Sequence, residues 1–320
     1  MIQEAWDNGG WGNSALETVH KKIGGCASEL LAWGASKTHP GVEEIKQLQK
    51  RVEVLNRAPP TQQNRSEFLV ASKELDEWLR KQEIFWAQRS RVNWIKHGDK
   101  NSKFFHLKAS QRRQKNLIQG IMDTDGCWVE DMDDVAGVAV QYFNNLFSRS
   151  PCSRIEECLE AVPHKVTSEM QQTLTNEFSE EEIKTVLFQM GPTKAPGPDG
   201  MNALFYQKFW HIVGDTVVSA ALEFLNNGHM LPELNHTYIV LIPKIKNPAK
   251  MSDFRPISLC NVIYKIIAKA LANRLKQVLP YIIAPTQSAF VPGRLITDNV
   301  LVAYEALHTM HGRKRAKQGI

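Results

Sequence analysis

Lys244 and Arg255 stand at the ends of two short apolar runs punctuated by proline, Ile239-Val-Leu-Ile-Pro-Lys244 and Asp253-Phe-Arg-Pro-Ile-Ser-Leu259. An ammonium and a planar, multiply donating guanidinium held on stiff backbone suit a polyphosphate, whose negative charge grows on the departing pyrophosphate. Two solvated charges flanking a loop would leave the same trace in a sequence. A second group of residues, Lys194-Ala-Pro-Gly-Pro-Asp-Gly200, has two prolines and two glycines in seven positions. That mixture suits a fixed loop whose backbone approaches a ligand, and equally an ordinary turn between helices. A third, Gln287-Ser-Ala-Phe-Val-Pro-Gly-Arg294, ends in a Pro-Gly-Arg turn.

A fourth feature is a block of charge. Between Arg89 and Lys115 lie nine cations, Arg89, Arg91, Lys96, Lys100, Lys103, Lys108, Arg112, Arg113 and Lys115, against one acid, Asp99. This block carries a net +8 of a chain total of +5, so the rest is net −3. With Trp94, Phe104 and Phe105 interleaved, it suits a phosphate backbone with bases stacked on rings; the alternative is a solvated helix face.

The elements that must position these residues read mostly as helices. Ile45, Leu48, Val52 and Leu55 share one helical stripe over 42–56, and Pro59-Pro60 ends it. A second helix is expected from about Ser66 to Ile95, paired with the first as a hairpin or a short coiled coil. Leu117 to Glu130 alternates about Asp123-Thr-Asp-Gly126 and reads as a β-hairpin, after which Asp131 caps a helix to Phe147. Ser179-Glu-Glu-Glu182 is a capping box that opens a helix into the Lys194 loop. Tyr238–Ile242 and Phe254–Leu259 are expected to pair as strands, bringing Lys244 and Arg255 toward one end. Asn261 is placed to cap a helix to about Leu279, mostly core, with Lys265, Lys269, Arg274 and Lys276 largely off its buried face; a final helix starts at Thr297 or Asp298.

At 320 residues and 42% hydrophobic, the chain can bury a sizeable core. No run nears the roughly 18 to 20 apolar residues of a membrane span, and Met1–Trp11 is too polar for a signal peptide, so an intracellular protein is expected. The five cysteines are scattered, without Cys-x-x-Cys, and read as reduced thiols. The ten histidines show no ligand spacing. Asp131-Met-Asp-Asp134 reads as the acidic start of a helix, and Asp123-x-Asp-Gly126 lacks the later ligands of a calcium loop. No metal-ligating residues are identified.

Taken together, the Lys194 loop, the Ile-Pro-Lys strand end, Asp253–Asn261 and Gln287–Arg294 resemble the fingers region of reverse transcriptases from LINE-type non-LTR retrotransposons, in particular those of plants. Gln88–His106 is similar to the connector that precedes the polymerase in those elements, and the resemblance covers about Trp86 to Gly312. It implies a mostly helical α+β arrangement: a partial right-hand polymerase fold, the fingers, preceded by a helical basic connector. On this reading residues 1–40 are a weakly patterned N-terminal segment that looks like the tail of something earlier. Residues 41–115 are the connector, 116–150 a β-hairpin plus helix, 151–177 a linker and 178–320 the partial polymerase unit.

The resemblance further implies that Lys244 and Arg255 contact the triphosphate of an incoming deoxynucleotide. Lys194, Gln287 and Arg294 would sit near the template or the nucleotide pocket, and Asp199 would form the turn of its loop. The implied partners are an RNA template and a DNA primer, in the nucleus or cytoplasm. The complete family enzyme uses Mg²⁺ held by palm aspartates, one set in a Tyr-x-Asp-Asp hairpin. After Asn261 the only Asp here is Asp298, so those motifs are expected beyond Ile320 and the chain alone is expected to be inactive. A non-enzymatic nucleic-acid-binding protein or a decayed element are the alternatives.

Overall fold

A computed structural model describes residues 1–35, 41–90, 102–148, 155–160 and 162–312. Up to Asn116 the elements are helices: α1 (Ile2–Asn8), α2 (Ala15–Ala35), α3 (Val42–Arg57), α4 (Gln62–Ser90) and α5 (Ser102–Asn116). Helix α3 stops just before Pro59-Pro60, whose rings and missing N–H groups bar another turn. It folds back along α4, and α4 runs along α5, so these elements make a helical hairpin with a third helix added.

A two-stranded antiparallel sheet follows, β1 (Ile121–Met122) with β2 (Trp128–Val129). Asp123 makes its reversal: one carboxylate oxygen accepts the N–H groups of Asp125 at 2.9 Å and Cys127 at 2.8 Å. In α6 (Met132–Phe147) the Asp131 carboxylate accepts the N–H of Asp133 at 2.9 Å and of Asp134 at 3.4 Å. Both acidic clusters are thus used in local backbone hydrogen bonding. Two short helices, α7 (Ile155–Glu160) and α8 (Ser168–Thr175), occupy the stretch read from sequence as a linker.

The C-terminal part comprises α9 (Glu180–Phe188), α10 (Ala203–Lys208), α11 (Trp210–Asn227), α12 (Pro232–Asn235), β3 (Tyr238–Pro243), β4 (Phe254–Leu259), α13 (Val262–Ile282) and α14 (Ile296–Gly312). Both halves of the capping box at Ser179 and Glu182 are made. Strands β3 and β4 pair antiparallel in the register Tyr238↔Leu259, Val240↔Ile257, Ile242↔Arg255 and Pro243↔Phe254.

Two apolar clusters hold these elements. The larger joins α9, α10, α11 and α13 through Ile183, Leu187, Tyr206, Val213, Val217, Ile263 and Ile266. It also takes in the N-terminal helices, since Trp6, Leu16, Val19, Ile23 and Cys26 are all buried within it. The Leu16 N–H donates to a Glu223 carboxylate oxygen of α11 at 3.0 Å. Helices α1 and α2, whose pattern looked weak, therefore contribute buried residues to the core. The apolar stripe of α2 is present at three- and four-residue spacing, but Gly24-Gly25 and the lysines between its members dilute it. One of them, Lys22, is itself buried, with its ammonium 4.6 Å from the Trp11 ring centroid.

The smaller cluster gathers Ile121, Val135, Phe143, Met251 and Phe254, with Leu241 against it. Through it the β1–β2–α6 unit covers one side of the β3–β4 hairpin, and the Met122 N–H donates to the Ala249 carbonyl at 2.7 Å. Helix α14 is different: Val300, Leu301, Tyr304 and Leu307 are each more than half exposed.

Candidate nucleic-acid interface

Side chains alternate along a strand, so the β3–β4 register sorts them by face. Tyr238, Val240 and Ile242 share one face with Leu259, Ile257 and Arg255; Leu241 and Phe254 point the other way, into the smaller cluster. The first face borders a cleft of about 1780 Å³. Its lining comes from four places: Val240, Ile242, Ile257 and Leu259 of the hairpin; Tyr264, Lys265, Lys269 and Lys276 of α13; the Gln189–Ala195 loop with Lys194; and Ala87 and Gln88 of α4 with Arg112 of α5. Arg255 is the cross-strand partner of Ile242, which lines the cleft. Lys244 follows β3 at the same end of the hairpin, where its N–H donates to the Asp253 carbonyl and its ammonium to the Ser252 carbonyl, each at 2.7 Å. The hairpin thus brings Lys244 and Arg255 to one end, with the Lys244 head tied to its own loop.

The 194–200 loop is fixed to the start of α13. Gly197 sits so close to the backbone there that an added Cβ would come within 2.6 Å of the Cys260 carbonyl carbon and closer still to the Asn261 N and Oδ1. Only glycine tolerates that approach. The Asp199 N–H donates to Asn261 Oδ1 at 3.3 Å, and the Lys265 ammonium donates to the Ala195 carbonyl at 3.0 Å. Asn261 does occupy the N-cap position of α13, but its side chain makes no capping bond; its amide donates instead to the Leu234 carbonyl at 3.3 Å. Asp199 shapes the turn by accepting the Met201 N–H at 3.1 Å. Burial pushes its carboxyl above the usual range, which suits a turn-former better than a cation ligand.

The other residues singled out by sequence have separate locations. Arg294 donates to the carbonyls of Ala284 at 2.6 Å, Gln287 at 2.8 Å, Pro280 at 3.1 Å and Ile283 at 3.4 Å, bracing the end of α13. The Gln287 amide donates to the Ala289 carbonyl at 3.4 Å. Neither residue is among those lining the cleft, nor are Lys244 and Arg255 themselves; of the predicted nucleotide and template residues, Lys194 lines it. Within the basic block, Arg91, Lys96 and Lys100 lie outside the described residues, as does the Lys103 side chain. The Arg89 guanidinium stacks 3.3 Å from the Phe85 ring centroid, and the Lys108 ammonium lies 5.7 Å from that of Phe104. Arg113 and Lys115 lie in the last turn of α5, where cations favour the helix dipole. Of the described cations in this block, Arg112 lines the cleft.

Sequence reading missed the three α13 lysines as a group. Lys265, Lys269 and Lys276 are spaced i, i+4 and i+11, which puts them within about 40° of one another around a helix. That stripe was legible; what could not be read was that an open cleft, rather than bulk solvent, faces it. Among the described residues no three His, Cys, Asp or Glu side chains converge as metal ligands, and no carboxylate lines the cleft. The described residues therefore do not fit the paired Mg²⁺ ions of a polymerase, and no step through such ions is derived. Nor is any described helix long and apolar enough to cross a membrane.

Comparison with known proteins bears on the same region. Residues 242–319, which include β4, α13 and α14, match the family model described as reverse transcriptase (RNA-dependent DNA polymerase). Over 222 residues, 69% of this chain, the sequence is 32% identical to a Xenopus laevis protein described as the transposon TX1 uncharacterized 149 kDa protein. The matched stretch is 17% of that protein, so this chain spans a small part of its relative's length. Residues 242–319 are thus similar to reverse transcriptases, and the chain is a distant homologue of a transposon protein over part of that protein's length.

Proposed function

We propose that this chain supplies the fingers, the template- and nucleotide-gripping part, of a retrotransposon RNA-directed DNA polymerase of the LINE-type non-LTR class. The observation that carries the reading is the β3–β4 hairpin, which sets Arg255 on the face bordering a cationic cleft, in the stretch that matches the reverse transcriptase model. In this reading Arg255 and Lys244 neutralise the triphosphate of the incoming deoxynucleotide. Lys194 contacts the template strand from the cleft, and Gln287 and Arg294 act near it through the loop they brace. The partners are an RNA template and a DNA primer, met in the nucleus or cytoplasm, and no membrane is involved. Mg²⁺ belongs to the complete enzyme, held by palm aspartates that the described residues do not supply.

The test combines binding with extension. The 320-residue chain should bind a primed RNA template yet extend it with no nucleotide in the presence of Mg²⁺ and deoxynucleotides. Extension that Arg255→Ala abolishes would overturn the expected inactivity of this chain alone. Absence of binding to any nucleic acid would overturn the whole reading.

A second reading, a nucleic-acid-binding protein without polymerase chemistry, is favoured by one observation: the cleft gathers cations from both connector and fingers without a carboxylate. It requires that neutralising Lys96, Lys100, Arg112 and Arg113 weaken binding and flatten its salt dependence, and it fails if affinity is unchanged.

A further inference from the structure

The 194–200 loop has a second side. Thr193, Lys194 and Ala195 line the cleft, whereas Pro198 and Asp199 line a separate pocket of about 300 Å³, walled by His20 and Ile23 of α2, by α12 and by Asn261. Two polar atoms are buried near this junction with no hydrogen-bond partner among the described residues, Asp199 Oδ2 and the Tyr206 hydroxyl of α10. Burial, then the nearby charges of Asp199 and Cys26, raise the Tyr206 phenol well above its ordinary value, so it stays neutral. Gly200, at φ +71°, leaves the chain beside Asp199 free to turn.

The two oxygens of Asp199 differ. Oδ1 accepts the Met201 N–H, while Oδ2 accepts nothing, so a proton on Oδ2 sacrifices no hydrogen bond and removes an unpaired charge. Ionised, Oδ2 is a buried charge that water can reach only if the loop lifts. The groups facing it are His20 from α2, Lys265 from α13, Tyr206 from α10, and Glu233 and His236 across the pocket. Burial has the largest influence and raises the carboxyl; the Met201 N–H, Lys265 and His20 oppose it in that order. Lys265 is committed to the Ala195 carbonyl, which leaves exposed His20 as the group through which α2 acts. We infer that the 194–200 loop is a latch worked by the Asp199 proton and biased by α2: shut while the carboxyl is neutral, loosened when it ionises, with the backbone that carries Lys194 loosening too. A carboxyl raised by the fold contributes stability that is fully present below its ordinary value and is lost as pH rises through the folded one. The latch is therefore tight in acid and slack toward neutrality.

Hydrogen exchange on the 320-residue chain tests this at the amides of Lys194, Ala195, Gly197, Asp199, Gly200 and Met201. Protection, corrected for the intrinsic rate, is followed from about pH 4 to about pH 8. Glu182 titrates in the opposite sense, so the readout is the difference between wild type and the neutral isostere Asp199→Asn. Wild-type protection should fall about fivefold as pH rises, and the Asn variant should keep the acid level throughout. His20→Gln should move the midpoint of that fall upward by a few tenths of a pH unit, and His20→Lys should bring it down again. Tyr206→Phe should leave protection unchanged within about twofold, since its hydroxyl has no partner to lose. Identical profiles for wild type and Asp199→Asn overturn the latch, as does protection that rises with pH, the mark of a carboxylate already paired. A midpoint indifferent to both His20 changes overturns the bias from α2. A large loss in Tyr206→Phe would show the phenol already bonded to the carboxyl and overturn the latch as well.

Discussion

Arg274 shows how much a single cation can hold. It is buried in α13, its Nε and one terminal nitrogen each donate to a Glu182 carboxylate oxygen at 2.9 Å, and it also donates to the carbonyls of Asn176 and Glu177 while lying 3.4 Å from the Phe178 ring centroid. Bidentate geometry of this kind is specific to arginine. The hydrogen bonds from Arg274 hold the Glu182 carboxyl below its ordinary value, so its contribution is present above the unfolded pKa and is lost as pH falls through the folded one. Glu182→Gln should lower the urea midpoint at neutral pH and remove part of its decline in acid. Because Glu182 remains partly exposed, the neutral-pH loss should be about 1 to 2 kcal/mol rather than the 3 to 5 of a fully buried pair. Urea titrations across that pH range check it; parallel wild-type and variant curves would refute it. At this scale the sequence was legible where a residue acts on its neighbours, as Asp131 and Ser179 do. It was not legible for Arg274, read as a charge off the buried face, because its partners lie 92 to 98 residues away.

Elements were legible wherever periodicity and punctuation agreed. Helices α3, α6, α9 and α13 and strands β3 and β4 stand close to their expected places, although α13 runs on through Pro280 to Ile282 and its N-cap Asn261 makes no capping bond. The N-terminal helices were obscure for a physical reason: α1 is short, and α2 earns its place only by docking on α11, an interaction that no local pattern announces. Trp6 is the sharpest probe of that docking, being 2% exposed and 6.5 Å from the Phe205 ring centroid. Trp6→Ala should destabilise the C-terminal unit by about 3 to 5 kcal/mol, read as a lower melting temperature and as faster proteolysis within α10 and α11. A protein that melts unchanged would mean that α1 is dispensable to the core. The same logic explains the Lys194 loop: its composition indicated stiffness and freedom, but the contact between Gly197 and Asn261 spans 64 positions of chain.

For the whole molecule, two apolar clusters support the two walls of the cleft. The larger fixes α13 and its lysine stripe, and the smaller fixes the opposite wall through Phe254 and Leu241. The cleft is therefore a gap between two separately supported bodies, and its cationic lining is supplied by segments far apart in the chain. That is why the individual motifs could be recognised in the sequence while the site they enclose could not. Phe143, on the far side of the hairpin from the cleft, should matter to binding without lying near the ligand. Phe143→Ala should loosen the smaller cluster by about 3 kcal/mol. Hydrogen exchange should then rise in β3 and β4 while α13 stays protected, and no change in the strands would show the support to be unnecessary.

The junction of Phe254 and Arg255 has one more consequence. Adjacent strand residues face opposite ways, so one seats a ring among apolar side chains while the next sets its guanidinium on the opposite face of the hairpin. Slippage by one position would drive that charge into the greasy seat and pull the ring into water, two penalties incurred together. The strand consequently polices its own alignment. The Lys244–Ser252 connection shares the constraint, since Met251 is seated in the same cluster and the Ala249 carbonyl takes the Met122 N–H, and nothing can be inserted between Phe254 and Arg255 without turning the wall inside out.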